Sequence, residues 1–479
     1  MTRGVSSIIV FTVRRFPLTL LLCCAGCGPI DGDPAQTGRP PNVVVILADD
    51  LGYADVGFQG LTDFATPNID RLAESGVRFT NGYVSHPFCS PSRAGLLTGR
   101  YQHRFGHVNN PKFRADEGLP LEETLLPEAL APAGYVSGIV GKWHLGDEAR
   151  FRPRERGFDE FFGLLGGGHD YFRSTTRDAR EYLIPLHANG VEIPVEGYLT
   201  EQLTQAALDF VRRHSGSPFF LYLAYNAPHG PLQAPSELLE RVSSIEDTRR
   251  RTYAAMVTSL DDGVGELVVL LDQLGLSEDT LVFFLSDNGG PTPANASDNS
   301  PLRGTKGTVY EGGVRVPFVA AWPDALPAGT RFDLPVSALD IFPTAVAVAG
   351  MEPASGLDGV DLMPYLTGQR PGAPHEQLFW HSEAGAQYAA RGPDRKYVRT
   401  LDREPELYAI HDDVSESVNV SDGDPMAAEL GKAVDAWHAE HPPPAWPGTS
   451  GRFVVHPNTM LGLGADQAEI DAWTAGGRR

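Results

Sequence analysis

The stretch Val43–Asp50, with the sequence VVVILADD, joins six consecutive apolar residues to a pair of carboxylates and decides the fold class. Apolar residues without alternation are typical of a strand that is buried on both faces of a mostly parallel sheet. Further apolar runs follow along the chain at Tyr135–Val140, Pro218–Tyr225, Leu281–Leu285 and Val316–Trp322. These five runs predict the central strands of such a sheet.

Helical patterns alternate with these runs. One begins at Thr66-Pro67 and ends near Gly76, and others cover Leu121–Ala133, Leu199–His214 and Thr252–Leu274. Alternating strands and helices indicate the α/β class, with a mostly parallel central sheet sandwiched by helices. We expect this main domain to span residues 42–371, with its functional site at the carboxyl ends of the strands.

The pattern changes beyond about Gly372. Short runs at Gln377–Trp380, Lys396–Thr400 and Glu406–Ile410 precede a polar helix near Pro425–His438. This order predicts a smaller C-terminal α+β subdomain with an antiparallel sheet over residues 372–445. From His441 onward, three consecutive prolines predict an irregular segment, which we call the strap. It continues into a tail over residues 446–479.

Charge limits the partners of the protein. The 479 residues carry a formal net charge of −22, so the average field repels polyphosphates and anionic membranes. Nucleic acid is therefore excluded as an expected partner. An anionic substrate would need a local cluster of cations, which would stand out in so acidic a chain.

The first 26 residues read as an export signal, because three arginines precede the apolar run Phe16–Cys24. Ala25-Gly26-Cys27 resembles a bacterial lipoprotein box, although Cys24 stands where leucine is usual. We expect cleavage before Cys27, a lipid anchor on that residue and a flexible tether over residues 27–41. The alternatives are an ordinary secretory signal and twin-arginine export. In each case we expect export to the periplasm or cell envelope, with membrane contact only through the lipid anchor where one is attached.

Two predicted strands end in oxygen ligands, since Asp49 and Asp50 follow the first run and Asp287 and Asn288 follow the fourth. Taken singly, each aspartate could be a turn or cap residue. Taken together at one sheet edge, they indicate a hard cation such as Ca²⁺, with Mg²⁺ as the alternative. Zinc is disfavoured because neither pair has a neighbouring histidine or cysteine.

After signal cleavage and acylation of Cys27, Cys89 is the one remaining thiol of the chain. It begins the stretch Cys89–Arg100, CSPSRAGLLTGR, in which Pro91 suits the first turn of a helix and Gly99 follows its end. The start of a helix favours an anion, and Arg93 can point to the same place. Both a thiolate nucleophile and a further modified residue fit this position.

These motifs resemble the signature of the type I sulfatases, the formylglycine-dependent, arylsulfatase-like branch of the alkaline phosphatase superfamily. The resemblance runs from about Asn42 to at least Gly368. After Cys89-x-Pro-Ser-Arg and Leu97-Thr-Gly-Arg100, the matching motifs are Gly141–Gly146, Ala227–His229, Ser286–Gly289, Leu302–Lys306 and Tyr310–Pro317.

The resemblance implies a cofactor and a modification. A formylglycine-generating maturase, bound transiently, would convert Cys89 to 3-oxoalanine (formylglycine). Ca²⁺ would be held by residue 89 together with Asp49, Asp50, Asp287 and Asn288. One hydroxyl of the hydrated aldehyde would attack the sulfur of a sulfate ester.

The resemblance also assigns roles to the remaining site residues. Arg93 would lie close to the nucleophile, while Lys142, Lys306 and His229 would bind the sulfate, with His229 or Lys306 protonating the leaving alcohol. His144 would take the proton of the second hydroxyl and so restore the aldehyde. No role follows for His169 in the glycine-rich loop.

The sequence therefore predicts a sulfatase that acts on an aryl sulfate or a sulfated carbohydrate. Two alternatives stay open. One is a phosphodiesterase or phosphonate monoester hydrolase of the same superfamily, and the other is an inactive lipoprotein that binds sulfated glycans and keeps an unmodified Cys89. Selectivity for the alcohol is expected in variable loops such as Phe151–Asn189 and in the C-terminal domain.

Overall fold

The computed structural model describes residues 38–176, 180–382, 387–400 and 403–447. The chain divides after Arg39 into two units, and all strands and helices within the described ranges lie in the second. The strands are β1 Asn42–Ala48, β2 Val77–Phe79, β3 Gly82–Tyr83, β4 Val136–Lys142, β5 Glu160–Leu164, β6 Leu186–Ala188, β7 Val191–Ile193, β8 Phe219–Ala224, β9 Thr280–Ser286, β10 Phe318–Ala321, β11 Thr330–Phe332, β12 Val336–Ser337, β13 Leu378–Ser382, β14 Gln387–Arg391, β15 Lys396–Arg399 and β16 Glu406–Tyr408.

The helices in the same ranges vary from one turn to seven turns. They are α1 Pro67–Glu74, α2 Cys89–Thr98, α3 Leu126–Leu130, α4 Leu199–His214, α5 Ser236–Arg241, α6 Thr248–Gln273, α7 Thr292–Asn295, α8 Glu311–Val314, α9 Ile341–Val348, α10 Met363–Leu366 and α11 Pro425–Ala439. None of these helices combines the length and the apolar composition that crossing a bilayer requires.

The large sheet has the strand order β11-β2-β10-β9-β1-β8-β4-β5-β6-β7. Its centre, β9-β1-β8-β4-β5, is parallel throughout, whereas β10 runs antiparallel to β9 and β6 antiparallel to β5. The predicted α/β class with a mostly parallel central sheet is therefore confirmed. All five apolar runs that predicted strands contain one.

Strand β1 shows why its sequence lacks alternation. Val43, Val45 and Leu47 pack into the core layer that includes side chains of α2, α3 and α9. Val44 and Ile46 face the opposite layer, which is formed with α1, α4, α5 and α6. Because helices cover both faces of the sheet, both sets of side chains must be apolar.

One predicted helix is much shorter than expected. We predicted a helix over Leu121–Ala133, but α3 covers only Leu126–Leu130 and continues as a 3₁₀ turn. Pro127 lies in the first turn of α3, where its missing N–H is tolerated, and the Glu128 side chain accepts a hydrogen bond from the extended Leu125 backbone. These two features fix the start of the helix after Leu125.

Near the C-terminus, β13 to β16 form an antiparallel sheet, and α11 packs against it through Leu430, Val434 and Trp437. The predicted antiparallel sheet is confirmed, although β14 was not expected because QYAAR has little β-branched character. The exact domain borders stay predictions. The predicted export signal, most of the tether and nearly all of the tail lie outside the described residues.

Candidate active site

The register of the parallel strands brings the predicted ligands to one edge of the sheet. Ala48 at the end of β1 pairs with Ser286 at the end of β9, so Asp49 and Asp287 leave the sheet side by side. On the other side of β1, β8 separates it from β4, whose last residue is Lys142. Three chain segments that are distant in sequence therefore meet at this edge.

The acidic residues at this edge are crowded. Candidate ligand atoms of Asp49, Asp50, Asp287 and Cys89 all lie within 4.8 Å of one another. Burial, followed by the negative charge of Asp49, raises the pKa of Asp287 to about 6. Asp50 also has a φ of +66°, a backbone conformation that is uncommon outside glycine and frequent at functional sites.

Asn288 provides the test of whether a cation fits here. Its Nδ2 donates to Asp50 Oδ1 at 2.7 Å, and its Oδ1 is buried without a hydrogen-bond partner. A buried acceptor without a donor is costly unless another group satisfies it. Carboxylate and amide oxygens are the ligands that Ca²⁺ prefers, so the residues fit the predicted cation.

Cys89 is the first residue of α2 and is almost completely buried. Lys306 Nζ lies 3.0 Å from its Sγ, and Asp49 Oδ1 lies 3.7 Å from the same atom. Burial raises the pKa of the Cys89 thiol to about 12, although Lys142 and Lys306 oppose this shift. An unmodified Cys89 is therefore a neutral thiol at neutral pH.

Each cation at this edge pairs with a carboxylate. Arg93 donates from Nε and Nη2 to Asp287 Oδ2 at 2.9 and 2.7 Å. Lys142 Nζ donates to Asp49 Oδ2 at 2.6 Å, and Lys306 Nζ donates to Asp50 Oδ1 at 2.5 Å. The structure thus brings together the cation cluster that the sequence predicted for an anionic substrate.

These pairs outweigh the effect of burial on Asp49. Burial alone would raise the pKa of its carboxyl, but the positive charges of Lys142, His229 and Arg93 hold the pKa well below its usual range. The Asp49 carboxylate is therefore ionised at all physiological pH values.

The two predicted catalytic histidines both lie close to the glycine-rich loop, His144 beside Gly167 and His229 beside Gly168. His229 Nδ1 is 2.7 Å from the Gly230 carbonyl oxygen; since a carbonyl can only accept, Nδ1 carries the hydrogen and Nε2 faces Asp50 Oδ2 at 3.6 Å. His144 has a φ of +60°, and its buried Nδ1 has no hydrogen-bond partner. Burial, reinforced by Lys142 and Arg93, lowers the pKa of His144 well below its usual value and keeps the imidazole neutral.

Two residues beside these histidines were not predicted. Glu181 Oε1 accepts a hydrogen bond from the Gly167 backbone at 2.5 Å, and the Tyr182 ring contacts the His229 ring edge-to-face at 6.1 Å. Gly167 permits this arrangement, because a Cβ atom there would lie 2.9 Å from His144 Nε2. Only the run of three glycines in the sequence hinted at so close a packing.

His169, to which the sequence assigned no role, has a structural one. It is fully buried, and its Nδ1 and Nε2 lie 2.7 and 2.6 Å from the carbonyl oxygens of Asp170 and Ile184. Both ring nitrogens are therefore engaged by backbone groups of the loop.

Comparison with known proteins identifies the family. Residues 41–351 match the family described as "Sulfatase". The N-acetylgalactosamine-6-sulfatase of Sus scrofa is 39% identical over 385 residues, which cover 74% of this chain and 71% of that protein. Arylsulfatase A of Bos taurus is 40% identical over 375 residues, which cover 72% of this chain and 71% of that protein.

A solved structure extends the similarity beyond the family match. The crystal structure of Ps i-CgsB in complex with k-i-k-neocarrahexaose is 38% identical with a TM-score of 0.83, and the alignment covers 90% of this chain and 99% of that chain. The family match includes all the strand ends and loops that carry the site. The chain therefore belongs to the sulfatase family and is a sulfuric ester hydrolase.

Proposed function

We propose that this protein releases inorganic sulfate from a sulfated carbohydrate, using Ca²⁺ and a formylglycine formed from Cys89. The observation that carries the proposal is the convergence of three carboxylates and three cations around the start of α2. The substrate class is supported by the relatives, one of which is named N-acetylgalactosamine-6-sulfatase and another of which was crystallised with k-i-k-neocarrahexaose.

Ca²⁺ would be held by Asp49, Asp50, Asp287 and Asn288 together with residue 89. When bound, it supplies positive charge that stabilises negative charge developing on sulfate oxygens. The charges of Arg93, Lys142 and Lys306 balance those of the three carboxylates. A divalent cation would therefore leave the pocket with the surplus positive charge that an anionic ester needs.

Formylglycine at position 89 supplies a hydrated aldehyde with an oxygen nucleophile and a second hydroxyl. The chain's own residues do the rest. Lys142, Lys306 and His229 bind the sulfate oxygens, and Arg93 is held in place by Asp287. His229, as the imidazolium with Nε2 also protonated, or alternatively Lys306 donates a proton to the leaving alcohol, and the neutral His144 accepts the proton of the second hydroxyl.

The proposal includes export of the protein to the periplasm or cell envelope, with a lipid anchor on Cys27 and maturation by a formylglycine-generating enzyme. It rests on the signal-like residues 1–27 alone. Replacing Cys27 by Ser should move the protein out of the membrane fraction, and unchanged partitioning would contradict the anchor.

The central test uses protein co-expressed with a formylglycine-generating enzyme. The peptide that spans residue 89 should have the lower mass of the aldehyde form, and the protein should release sulfate from sulfated mono- and oligosaccharides or from an aryl sulfate. Cys89→Ala is the matched inactive control. Intact cysteine in fully active enzyme would contradict the mechanism.

A paired substrate distinguishes the alternative chemistry. We expect kcat/KM for an aryl sulfate to exceed that for the matched aryl phosphodiester by at least about tenfold, or about 1.4 kcal/mol. A sulfate monoester offers three non-bridging oxygens to the cations, whereas a phosphodiester offers two and carries a second organic group. A preference for the diester would assign the protein to the phosphodiesterase alternative, and glycan binding without hydrolysis would assign it to the binding one.

A further inference from the structure

The C-terminal strap, residues 442–446, lies against the loop of residues 106–110. The Ala445 backbone N–H donates to the Gly106 carbonyl at 2.9 Å. Trp446 Nε1 donates to the Asn110 carbonyl at 3.3 Å, and Asn109 Nδ2 donates to the Trp446 carbonyl at 3.2 Å. The strap is thus joined to the loop by three hydrogen bonds.

Packing and backbone geometry strengthen this contact. The Trp446 side chain is 7% exposed, and its ring meets the His107 ring edge-to-face at 4.7 Å. Gly106 has a φ of +72°, and a Cβ atom there would lie 2.9 Å from the Pro443 carbonyl oxygen. The loop is therefore shaped to receive the strap.

The other side of the same loop holds the first turn of α2. Asn110 Oδ1 accepts a hydrogen bond from the Ser90 backbone N–H at 3.1 Å, and His107 Nε2 lies 2.7 Å from Ser90 Oγ. Phe88, the residue before the helix, makes no side-chain capping bond. Asn110 thus satisfies one of the N–H groups that the helix start leaves open.

We infer that Trp446 is a positioning residue for residue 89 and acts through His107 and Asn110 on Ser90. The inference rests on the proposed function of residue 89 as nucleophile. Reacting groups must lie close to the attack geometry, and a displacement of about 1 Å can cost about 10²-fold in rate. The strap lies outside residues 41–351, so the family motifs give no sign of this role.

The first experiment needs no activity. Protein made in a host without the maturase keeps the Cys89 thiol, and its rate of alkylation by iodoacetamide can be followed by mass spectrometry. Trp446→Ala should raise this rate at least about fivefold, because the first turn of α2 loses its support. Trp437→Ala is the matched control, since Trp437 is 8% exposed and its ring contacts are with Tyr101, His103, Phe379 and His441.

We expect Trp437→Ala to leave the alkylation rate within about twofold of wild type. Equal rates for the two tryptophan variants would overturn the inference. Asn110→Ala provides a milder variant should Trp446→Ala fold poorly, because Asn110 is half-buried in a loop. It should also raise the alkylation rate, and an unchanged rate would overturn the inference.

Kinetics of the formylglycine form complete the test. Trp446→Ala should lower kcat for a sulfate ester about tenfold with KM within about twofold. The kcat of the double variant Trp446→Ala/Asn110→Ala should be little lower than that of either single variant, because both substitutions act through the same contacts with Ser90. If the kcat losses of the two single variants multiply in the double variant, Trp446 has a merely structural role. A wild type that hydrolyses no sulfate ester would contradict the proposed function, whereas the alkylation rates would still decide the role of Trp446.

Discussion

Two clusters of charged side chains are buried in this protein, and they differ in how completely their atoms are paired. The cluster of the proposed active site, called the catalytic cluster below, comprises Asp49, Asp50, Asp287, Arg93, Lys142 and Lys306. The subdomain cluster comprises Glu311, Glu416, Lys396, Arg315 and Tyr83 and connects α8 with the C-terminal sheet. Both contain acidic and basic side chains, but only in the catalytic cluster do three carboxylates lie within 4.8 Å of one another.

The subdomain cluster is closed. Lys396 Nζ lies 2.8 Å from Glu311 Oε1 and 3.1 Å from Glu416 Oε1. Glu311 Oε2 accepts hydrogen bonds from Tyr83 Oη at 2.8 Å and Arg315 Nη1 at 3.1 Å. Glu416 Oε2 accepts one from the Glu311 backbone at 2.7 Å. Such an arrangement joins two parts of the fold and leaves little for a ligand to bind.

The catalytic cluster is more open. Asn288 Oδ1 and His144 Nδ1 are buried beside it with neither a hydrogen bond nor an ion pair, whereas Glu416 Oε1, which also lacks a hydrogen bond, keeps Lys396 Nζ at 3.1 Å. Three carboxylates crowd together there, while the cations that pair with them would also serve an anionic substrate. Buried charges that pair with one another join parts of a fold, whereas buried polar atoms that lack any partner beside such charges are available to a metal or a substrate.

The largest expected effect separates the two clusters by activity. Lys306→Met removes a cation from the proposed sulfate site, so kcat/KM for a sulfate ester should fall at least about 10³-fold, or about 4 kcal/mol. Lys396→Met is the matched control, because it removes the buried lysine of the subdomain cluster. Its folded fraction should keep kcat/KM within about threefold. Similar losses in both variants would remove the functional distinction between the clusters.

Stability should change in the opposite order. Lys396→Met leaves Glu311 and Glu416 buried without their shared cation, and breaking a buried pair in this way is strongly destabilising. We expect the free energy of unfolding to fall by about 3 kcal/mol. With Ca²⁺ present, Lys306→Met should lower the free energy of unfolding by a smaller amount, because Asp50 still has a cation beside it. Urea unfolding of both variants measures the difference, and a larger loss for Lys306→Met would contradict it.

The part of the catalytic cluster that the sequence predicted lies at strand ends. Asp49 and Asp287 directly follow buried apolar runs, and parallel strands end at one edge, so their meeting could be expected. The pairing of Lys142 with Asp49 also needs the strand order β1-β8-β4, which the residue pattern does not contain. The family resemblance assigned Lys142 to the sulfate site but predicted no pairing with Asp49.

The residues that were missed depend on the paths of loops. Glu181 contacts the Gly167 backbone and Tyr182 contacts His229, although both residues lie well beyond the glycine run in sequence. Glu416 joins Lys396 from a turn in which its own φ is +49°. The periodicity and spacing of residues in the sequence do not predict such contacts, because the direction of a loop depends on the surfaces on which it packs.

Metal binding should stabilise only through the catalytic cluster. Ca²⁺ at about 100 times its dissociation constant should raise the free energy of unfolding by about 2.7 kcal/mol. Asp287→Asn removes one charged ligand and should abolish most of this increase, whereas Lys396→Met should retain it. The measurement is urea unfolding with Ca²⁺ and with chelator. An equal response to Ca²⁺ in wild type and Asp287→Asn would show that the cation binds elsewhere.

The smallest expected effect is a pH dependence within the subdomain cluster. Burial, with the negative charge of Glu311 added and Lys396 opposing, raises the pKa of Glu416 to about 7. For Glu311, Lys396 and Arg315 outweigh burial and lower the pKa to about 2. An unfolded glutamate titrates near 4.3, so only Glu416 binds its proton more tightly in the folded state.

The sign of the effect follows from proton binding. Between about pH 5 and pH 7 the folded state holds more of the Glu416 proton than the unfolded state, so this residue's contribution to stability falls as the pH rises. The free energy of unfolding of wild type minus that of Glu416→Gln should therefore decrease by about 2 kcal/mol over this range. For Glu311→Gln the corresponding difference should decrease less, because this variant removes only the part of the Glu416 pKa shift that the charge of Glu311 causes, and the stability from Glu311 itself is lost only below the unfolded pKa. Titration of the catalytic cluster is common to all three proteins and cancels. If the two variants show parallel pH profiles, both glutamates stay ionised over this range. The positive charges of Lys396 and Arg315 would then balance the negative charges of both glutamates.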